Sequence, residues 1–474
     1  MTPDRDDPHN RSPSLPHHSA AARDEATGLE PAMPGAATPE SVFAEVDGLL
    51  RRAAAEPGRR GEILAGAAAS LARLLECPVD GVRARAADGL YQIVEAPGAA
   101  EALNTHMADA AVLEAVYTAA RMDGQGGACE EAAPLAAGLA AVLRSGPGEL
   151  RGTALGALMR FHRAALAPAV PALAETLSDP DPRMRLYAAL TLSSAEFEGA
   201  HPSVPRIAEA LARADDETAV YLLAALERCG SIPAPAAEAV IPVIESRLSW
   251  PDRRVALSAA KCLAGVGAGR RALRFLTGVL RGEIAVDAAY LPEAAAARAL
   301  SLIVPEGLDA LREAVAPGSP APPAVRWAAA EELAPHDPDA VLPLLREGLG
   351  SPSRDDRWRS LQRCWAVRGL VGPLYADLLA MTRDADPYLR RQAVSLLERT
   401  RPPAGAVAAL AALLDDPDRR GWAARRLAEL GRDAAAALPA LEELASLPEV
   451  GRNAGGLRDV RRAAERIRGE GGSP

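Results

Sequence analysis

The sequence predicts an all-α fold, an α-α superhelix built as a solenoid of antiparallel helix pairs, and three observations carry that prediction. The first is a phrase of Arg followed three residues later by small apolar residues. It recurs as Arg83-Ala-Arg-Ala86-Ala87, Arg151-Gly-Thr-Ala154, Arg185-Leu-Tyr-Ala188-Ala189, Arg326-Trp-Ala-Ala329-Ala330, Arg390-Arg-Gln-Ala393 and Arg420-Gly-Trp-Ala423-Ala424. Stretches in the same register but without the Arg, near Tyr221, Ala256, Glu293 and Trp358, fill the gaps at steps of roughly 30 to 37 residues, a period that marks a stacked array. Second, apolar residues make up 49% of the chain and aromatics only 3%. The hydrophobic mass is therefore Ala, Leu and Val, residues suited to close helix packing. Third, no run of β-branched and aromatic residues alternates with polar ones between turn signals, so strands are not expected.

Taken in order, residues 1–40 are rich in Pro, Ser, His, Asp and Ala without helical periodicity. They bury too little apolar surface to offset the entropy of ordering, and a disordered tail is expected. His17 and His18 within it, lacking further ligands nearby, are expected to be solvated rather than metal-bound. Helix pairs, about a dozen, are expected over residues 41–468, irregular near 98–130 and 282–300, where the repeat phrase fades. The clearest unit is Pro168 to Ala195. Val170, Leu173 and Leu177 recur at helical spacing, Ser178-Asp-Pro-Asp-Pro182 breaks the helix, and a second helix carries Arg185, Ala188, Ala189 and Leu192. Pro at a helix start loses no needed N–H, and the preceding Asp can cap free amides. The same punctuation returns at Asp384-Ala-Asp-Pro387 and Asp415-Asp-Pro-Asp418. The charged helix Arg458 to Arg468 is expected to close the array with a polar surface, implying a monomer, and 469–474 is expected to be disordered.

Net charge is −10, against the broad electrostatic footprint of proteins that track nucleic-acid backbones. Lys261 is the only Lys, so Arg abundance reflects the composition of a G+C-rich, bacterial-type genome more than function. Residues 350–474 hold 21 Arg against 17 acids, so the chain is electrically lopsided. Cys77, Cys129, Cys229, Cys262 and Cys364 are scattered and odd in number, which fits free thiols in a reducing compartment. With no basic-then-apolar leader and no long uncharged apolar run, a cytoplasmic protein without a membrane anchor is expected.

The unit Asp181-Pro-Arg-Met-Arg185-Leu-Tyr-Ala-Ala-Leu-Thr-Leu192, with Pro323-Ala-Val-Arg326-Trp-Ala-Ala-Ala-Glu-Glu-Leu333, resembles the HEAT-repeat family, including its shorter phycobilin-lyase-like variants. The resemblance implies two helices per unit joined by an Asp-containing turn. It also implies that the second helices line the inner curve, and that Arg and Asp residues form ladders between units.

On a helical wheel the repeat Arg lies within about 60° of the Ala at +3 and +4 and the Leu at +7. Arg83, Arg151, Arg185, Arg326, Arg390 and Arg420 are accordingly expected to be structural, pairing with turn carboxylates such as Asp181 or Asp386. Trp358, Leu361 and Trp365 share one stripe, for which core packing is expected, while Trp327 lies beside the packed face. Positions +2, +5, +6 and +9 point away from that face, and Arg363, Arg399, Trp422, Arg425 and Arg426 there form the expected partner-binding surface. Their N-terminal counterparts Arg85, Asp88 and Gln92 read as solvated.

No phosphate loop, nucleophile elbow, His-Glu-x-x-His or metal-spaced His/Cys cluster is present in the sequence. His106, His162, His201 and His336 are dispersed and read as capping or surface groups. The function expected is a non-catalytic protein-interaction scaffold that needs no cofactor or metal, its partner unidentified. Two alternatives come from the resemblance: a nucleic-acid-binding protein like the HEAT-like alkylpurine DNA glycosylases, disfavoured by net charge, and a lyase or chaperone for a tetrapyrrole-bearing protein.

Overall fold

The structure, a computed structural model, describes residues 38–122, 133–287, 291–448 and 454–471. Most of the tail, the Cys129 segment and the extreme C-terminus lie outside the described residues. Within them the chain is helical, with no strand.

A first helix, Pro39–Ala55, packs on Arg60–Leu74 and opens the array. Thereafter helices alternate between two layers. The leading layer runs from Arg60–Leu74 through Ala99–His106, Ala133–Ser145, Val170–Thr176, Val204–Arg213 and Ala234–Ser246 to Leu273–Leu280, Glu306–Val315, Pro338–Leu349, Tyr375–Met381, Val407–Ala411 and Leu438–Ala445. The trailing layer runs from Asp80–Gln92 through Ala110–Met122, Gly148–Leu158, Pro182–Ser194, Asp216–Arg228 and Arg253–Gly265 to Pro292–Ser301, Pro323–Leu333, Arg354–Ala366, Pro387–Glu398, Arg420–Leu430 and Ala454–Gly471. Apart from Ala110–Met122, the trailing helices pack on their own leading helices, and most also touch the trailing helices before and after. This is an all-α solenoid. Its last helix reaches Gly471, beyond the end expected from the sequence.

Turn chemistry sets where the trailing helices begin. Asp181, Asp215, Asp252 and Asp386 are N-caps whose carboxylates accept from the amides of Arg183, Thr218, Arg254 and Tyr388. Ser353 caps Arg354–Ala366 in the same way. Each such cap is worth about 1 kcal/mol. Gly267, at φ +85°, ends Arg253–Gly265 in a left-handed turn where the Ala268 amide donates to the Leu263 carbonyl at 2.8 Å.

The Ala residues of the repeat phrase are the contact points between layers. Ala86, Ala87, Ala154, Ala188, Ala189, Ala329, Ala330, Ala393, Ala423 and Ala424 are all fully buried. Lacking side-chain bulk, they let helix axes approach toward the short end of the usual 8–10 Å. Leu and Val fill the space on either side, which is how a core with so few aromatics closes.

Candidate interaction surface

The repeat Arg side chains are engaged at the turns. In the trailing helices that bear it, the Arg stands four residues after the start of the turn-to-helix junction, and its guanidinium folds back to carbonyls five or six residues upstream. Arg83 donates to Cys77 O at 2.8 Å, and Arg185 to Asp179 O at 2.9 Å and Pro180 O at 3.0 Å. Arg390 donates to Asp384 O and Ala385 O, and Arg420 to Leu414 O at 2.7 Å. These carbonyls end the preceding turn and have no helical partner. The variants are Arg151, which reaches Leu143 O at 2.9 Å, and Arg326, which pairs with Glu347 at 3.0 Å.

Several of these arginines also grip the next unit. Arg83 meets Asp109 at 3.1 Å, and Arg151 meets Asp179. The carboxylates used differ from those expected. Asp181 and Asp386 are occupied as N-caps, and Asp386 pairs at 2.6 Å with Arg354 rather than with a repeat Arg. The ladder to the back-folded Arg position runs instead through Asp179 and Asp384, two residues upstream of the caps. Arg357 is a further member that sequence reading missed. It donates to Ser351 O and Pro352 O, both at 2.9 Å, and forms an ion pair with Asp384 at 2.6 Å. Its spacing from the Ser353 cap is the regular one, but Ser360-Leu361 replaces the Ala pair that made the other phrases visible.

Of the residues expected to bind a partner, Arg426 is a correction. It is 5% exposed and donates to Leu397 O at 2.8 Å, to Thr400 O and to the Tyr375 hydroxyl at 3.4 Å, while also pairing with Glu429. Position +6 on this helix points over the end of the preceding trailing helix, so the side chain ties two units together instead of facing a ligand. Arg425 is exposed and paired with Asp459 of the last helix. Trp422 is half-buried against the core. Arg363 pairs with Glu331 at 2.9 Å.

Arg399 belongs to a different constellation. Its guanidinium lies 5.6 Å from the centre of the Trp365 ring, and Trp358 meets Tyr388 at 5.3 Å. Trp358, Gln362, Arg363, Trp365, Ala366 and Gln392 line an open groove of about 610 Å³ on the trailing layer. On Arg354–Ala366, Trp358, Gln362 and Trp365 fall within about 60° of one another, and Arg359 lies on the same exposed side. On Pro387–Glu398, Tyr388, Gln392 and Arg399 fall within about 40°. Two adjacent helices thus present matching stripes, aromatic beside aromatic at one end and cation beside aromatic at the other. Leu361 takes the core position alone, fully buried, and the two Trp side chains are half-buried at the surface. The stripe expected to pack in the core does pack against it, and its two half-buried Trp also form a groove wall.

Trp327 donates to Asp356 at 3.1 Å and lies against Gly348, where an added Cβ would sit 2.7 Å from the ring. Trp250 makes the same kind of bond to Asp216 at 2.6 Å and carries the Arg247 guanidinium 3.9 Å from its ring centre. Both indoles serve contacts between units. Arg85 covers the Phe43 ring of the first helix at 4.0 Å.

The surroundings of the titratable groups bear on reactivity. Burial pushes the Cys229 thiol up to about 11 and the Cys364 thiol up to about 12, and raises Cys262 as well. Thiolates are the reactive form, so burial disfavours thiol chemistry at these three sites. The imidazoles of His162 and His201 accept from the Ala164 and Ser203 amides at 3.4 and 3.1 Å, turn-capping roles. Among the described residues no group of three or more His, Cys, Asp or Glu is arranged to hold a metal ion. No helix among them is long and apolar enough to cross a membrane.

Comparison with known proteins agrees with the architecture. HEAT repeats match residues 375–455, the stretch holding Asp384, Asp386, Arg390, Trp422 and Arg426. A crystal structure of an engineered protein aligns at 20% identity over 85% of this chain and 98% of its own, with a TM-score of 0.26, a superposition too loose to carry an argument. No curated protein matches the chain. Several helix pairs upstream of residue 375 share the capped turn, the back-folded Arg or the buried Ala pair, so the resemblance to HEAT repeats extends in kind beyond the matched stretch.

Proposed function

We propose that the chain is a non-catalytic interaction scaffold that holds a protein partner on the trailing-helix surface around Trp358, Trp365, Tyr388 and Arg399. The observation that carries this is the pair of matching stripes. In a chain with 3% aromatics, two Trp side chains line one open groove with Arg and Gln, and Tyr388 stands against one of them. Trp, Tyr and Arg are the residue types that dominate binding energy at interfaces. An array also supplies area: a standard interface buries about 1,600 Å² in total, more than one groove offers but within reach of three or four neighbouring helices.

The test is capture of partners on full-length protein from its own cells, comparing wild type with Trp358→Ala/Trp365→Ala, its fold checked by circular dichroism. A protein held by wild type and released by the variant is expected. A set of captured proteins identical for both would refute the placement of the surface.

A further inference from the structure

We infer that this surface takes a short acidic segment of the partner protein, an inference that rests on the scaffold reading and gives it a chemistry. Charge is distributed unevenly through the thickness of the C-terminal third. Arg354–Ala366, Pro387–Glu398 with Arg399 at its C-cap, Arg420–Leu430 and Ala454–Gly471 each carry two more Arg than acids. Residues 350–474 as a whole carry only four more, 21 against 17, so the leading helices and turns of that stretch are net acidic. The trailing layer is the basic side.

Most arginines there are satisfied internally, as with Arg354 on Asp386, Arg357 on Asp384, Arg363 on Glu331 and Arg425 on Asp459. Arg359, Arg391 and Arg399 are exposed and carry no ion pair among the described residues. They flank the aromatic groove and a second cleft beside it, about 250 Å³, lined by Arg390, Arg391, Arg419, Val394, Ser395, Glu398 and Thr382. Arg390 spends its hydrogen bonds on carbonyls, so its charge adds to the field there. Asp355 and Glu398 are the exposed acids on the two helices, the first at a helix start and the second in the smaller cleft.

Size and charge choose between anionic partners. Crossing both clefts covers about 20 Å at 8–10 Å per helix, or about six residues of extended chain at ~3.3 Å each. Three bare arginines match two or three carboxylates on such a segment, with apolar side chains between them against Trp358, Trp365 and Tyr388. Nucleic-acid binders engage roughly 6–10 phosphates, more than these arginines serve. The 349 preceding residues carry a net −14, which repels a long polyanion.

The experiment measures fluorescence anisotropy of a short labelled peptide alternating glutamate with leucine, titrated with the full chain. Controls are the same peptide with glutamine for glutamate, and a single-stranded oligodeoxynucleotide of equal charge. The acidic peptide is expected to bind at least about tenfold more tightly than the glutamine peptide and to weaken as salt rises. Arg359→Glu/Arg399→Glu is expected to weaken it at least about tenfold, as reversed rim charges do, whereas Arg213→Glu, outside both clefts, leaves it unchanged. Equal affinity for the two peptides, or tighter binding of the oligonucleotide, would overturn the inference. A partner captured through Trp358 and Trp365 but indifferent to salt and to Arg399→Glu would also overturn it while leaving the scaffold reading intact.

Discussion

Replacing Arg357 with Ala should open the C-terminal third of the array locally. The side chain is 15% exposed and its partner Asp384 5%, so solvent screens the pair weakly. Two hydrogen bonds from a charged donor to carbonyl oxygens disappear, each worth about 1.5–3 kcal/mol. Asp384 keeps only the Asp386 amide, at 2.8 Å, as a hydrogen-bond donor, and a buried charge stripped of its partner costs about 3–5 kcal/mol. These terms overlap because one guanidinium serves all of them, and the net loss should fall at about 3–5 kcal/mol. An array does not unfold all or none, so the assay is hydrogen exchange on peptides from 354–366 and 387–398. At 1.4 kcal/mol per tenfold, exchange there should speed up at least about a hundredfold, with little change in 80–92. Arg357→Ala combined with Asp384→Asn should show a coupling of about 1–3 kcal/mol. Acceleration below tenfold, or two substitutions that simply add, would refute the ladder as a source of stability.

Two other outcomes follow from the same geometry. Arg426→Ala should lower stability by about 3 kcal/mol, since the part-buried Thr400 carbonyl loses its donor and the buried Leu397 carbonyl loses its charged donor, keeping only backbone amides. Binding of the acidic peptide should persist wherever the variant remains folded, and selective loss of binding without destabilisation would contradict its buried placement. Acid should weaken the array through its caps: the Arg312 guanidinium and then the Ala340 amide hold the Asp337 carboxyl below the usual range, and the Arg354 guanidinium and then the Tyr388 amide do the same for Asp386. Because folding lowers these pKa values, their contribution is complete above the unfolded value of about 3.9 and is lost as pH falls through the folded one. Thermal melting between pH 6 and 2 checks this, with Arg354→Gln expected to flatten the acid limb and an unchanged limb counting against it.

How far the sequence speaks differs between fold and surface. Ala pairs and Asp-Pro turns are local signals, and Ala188-Ala189 or Asp386-Pro387 mean the same thing wherever they occur in such an array. Arg357 escapes because its helix spends the Ala positions on Ser360 and Leu361. Arg426 misleads for a deeper reason: a wheel places it on the outer arc of its own helix, but exposure in a stacked array is decided by the neighbouring unit, whose Leu397 and Thr400 carbonyls lie over that position. The aromatic groove fails to show for the same cause. Trp358 and Trp365 recur at core spacing, and only the approach of Tyr388 and Arg399 from the next helix makes their stripe a wall.

The back-folded arginines do not run the whole length. Asp216–Arg228, Arg253–Gly265 and Pro292–Ser301 carry Ala219, Ala256 and Ala295 where most others carry Arg, and Ala110–Met122 carries Leu113 there. Three consecutive turns are thus left without the strut that fixes one unit's angle to the next, with the Trp250 bond to Asp216 among the contacts that cross this stretch. In this stretch the trailing helices lie directly against one another, Asp216–Arg228 on both Pro182–Ser194 and Arg253–Gly265, and the latter on Pro292–Ser301. Where the guanidinium strut is missing, side-chain volume sets the step from one unit to the next, so a larger residue at fully buried Ala219 or Ala256 would retune a pitch that an Arg fixes elsewhere.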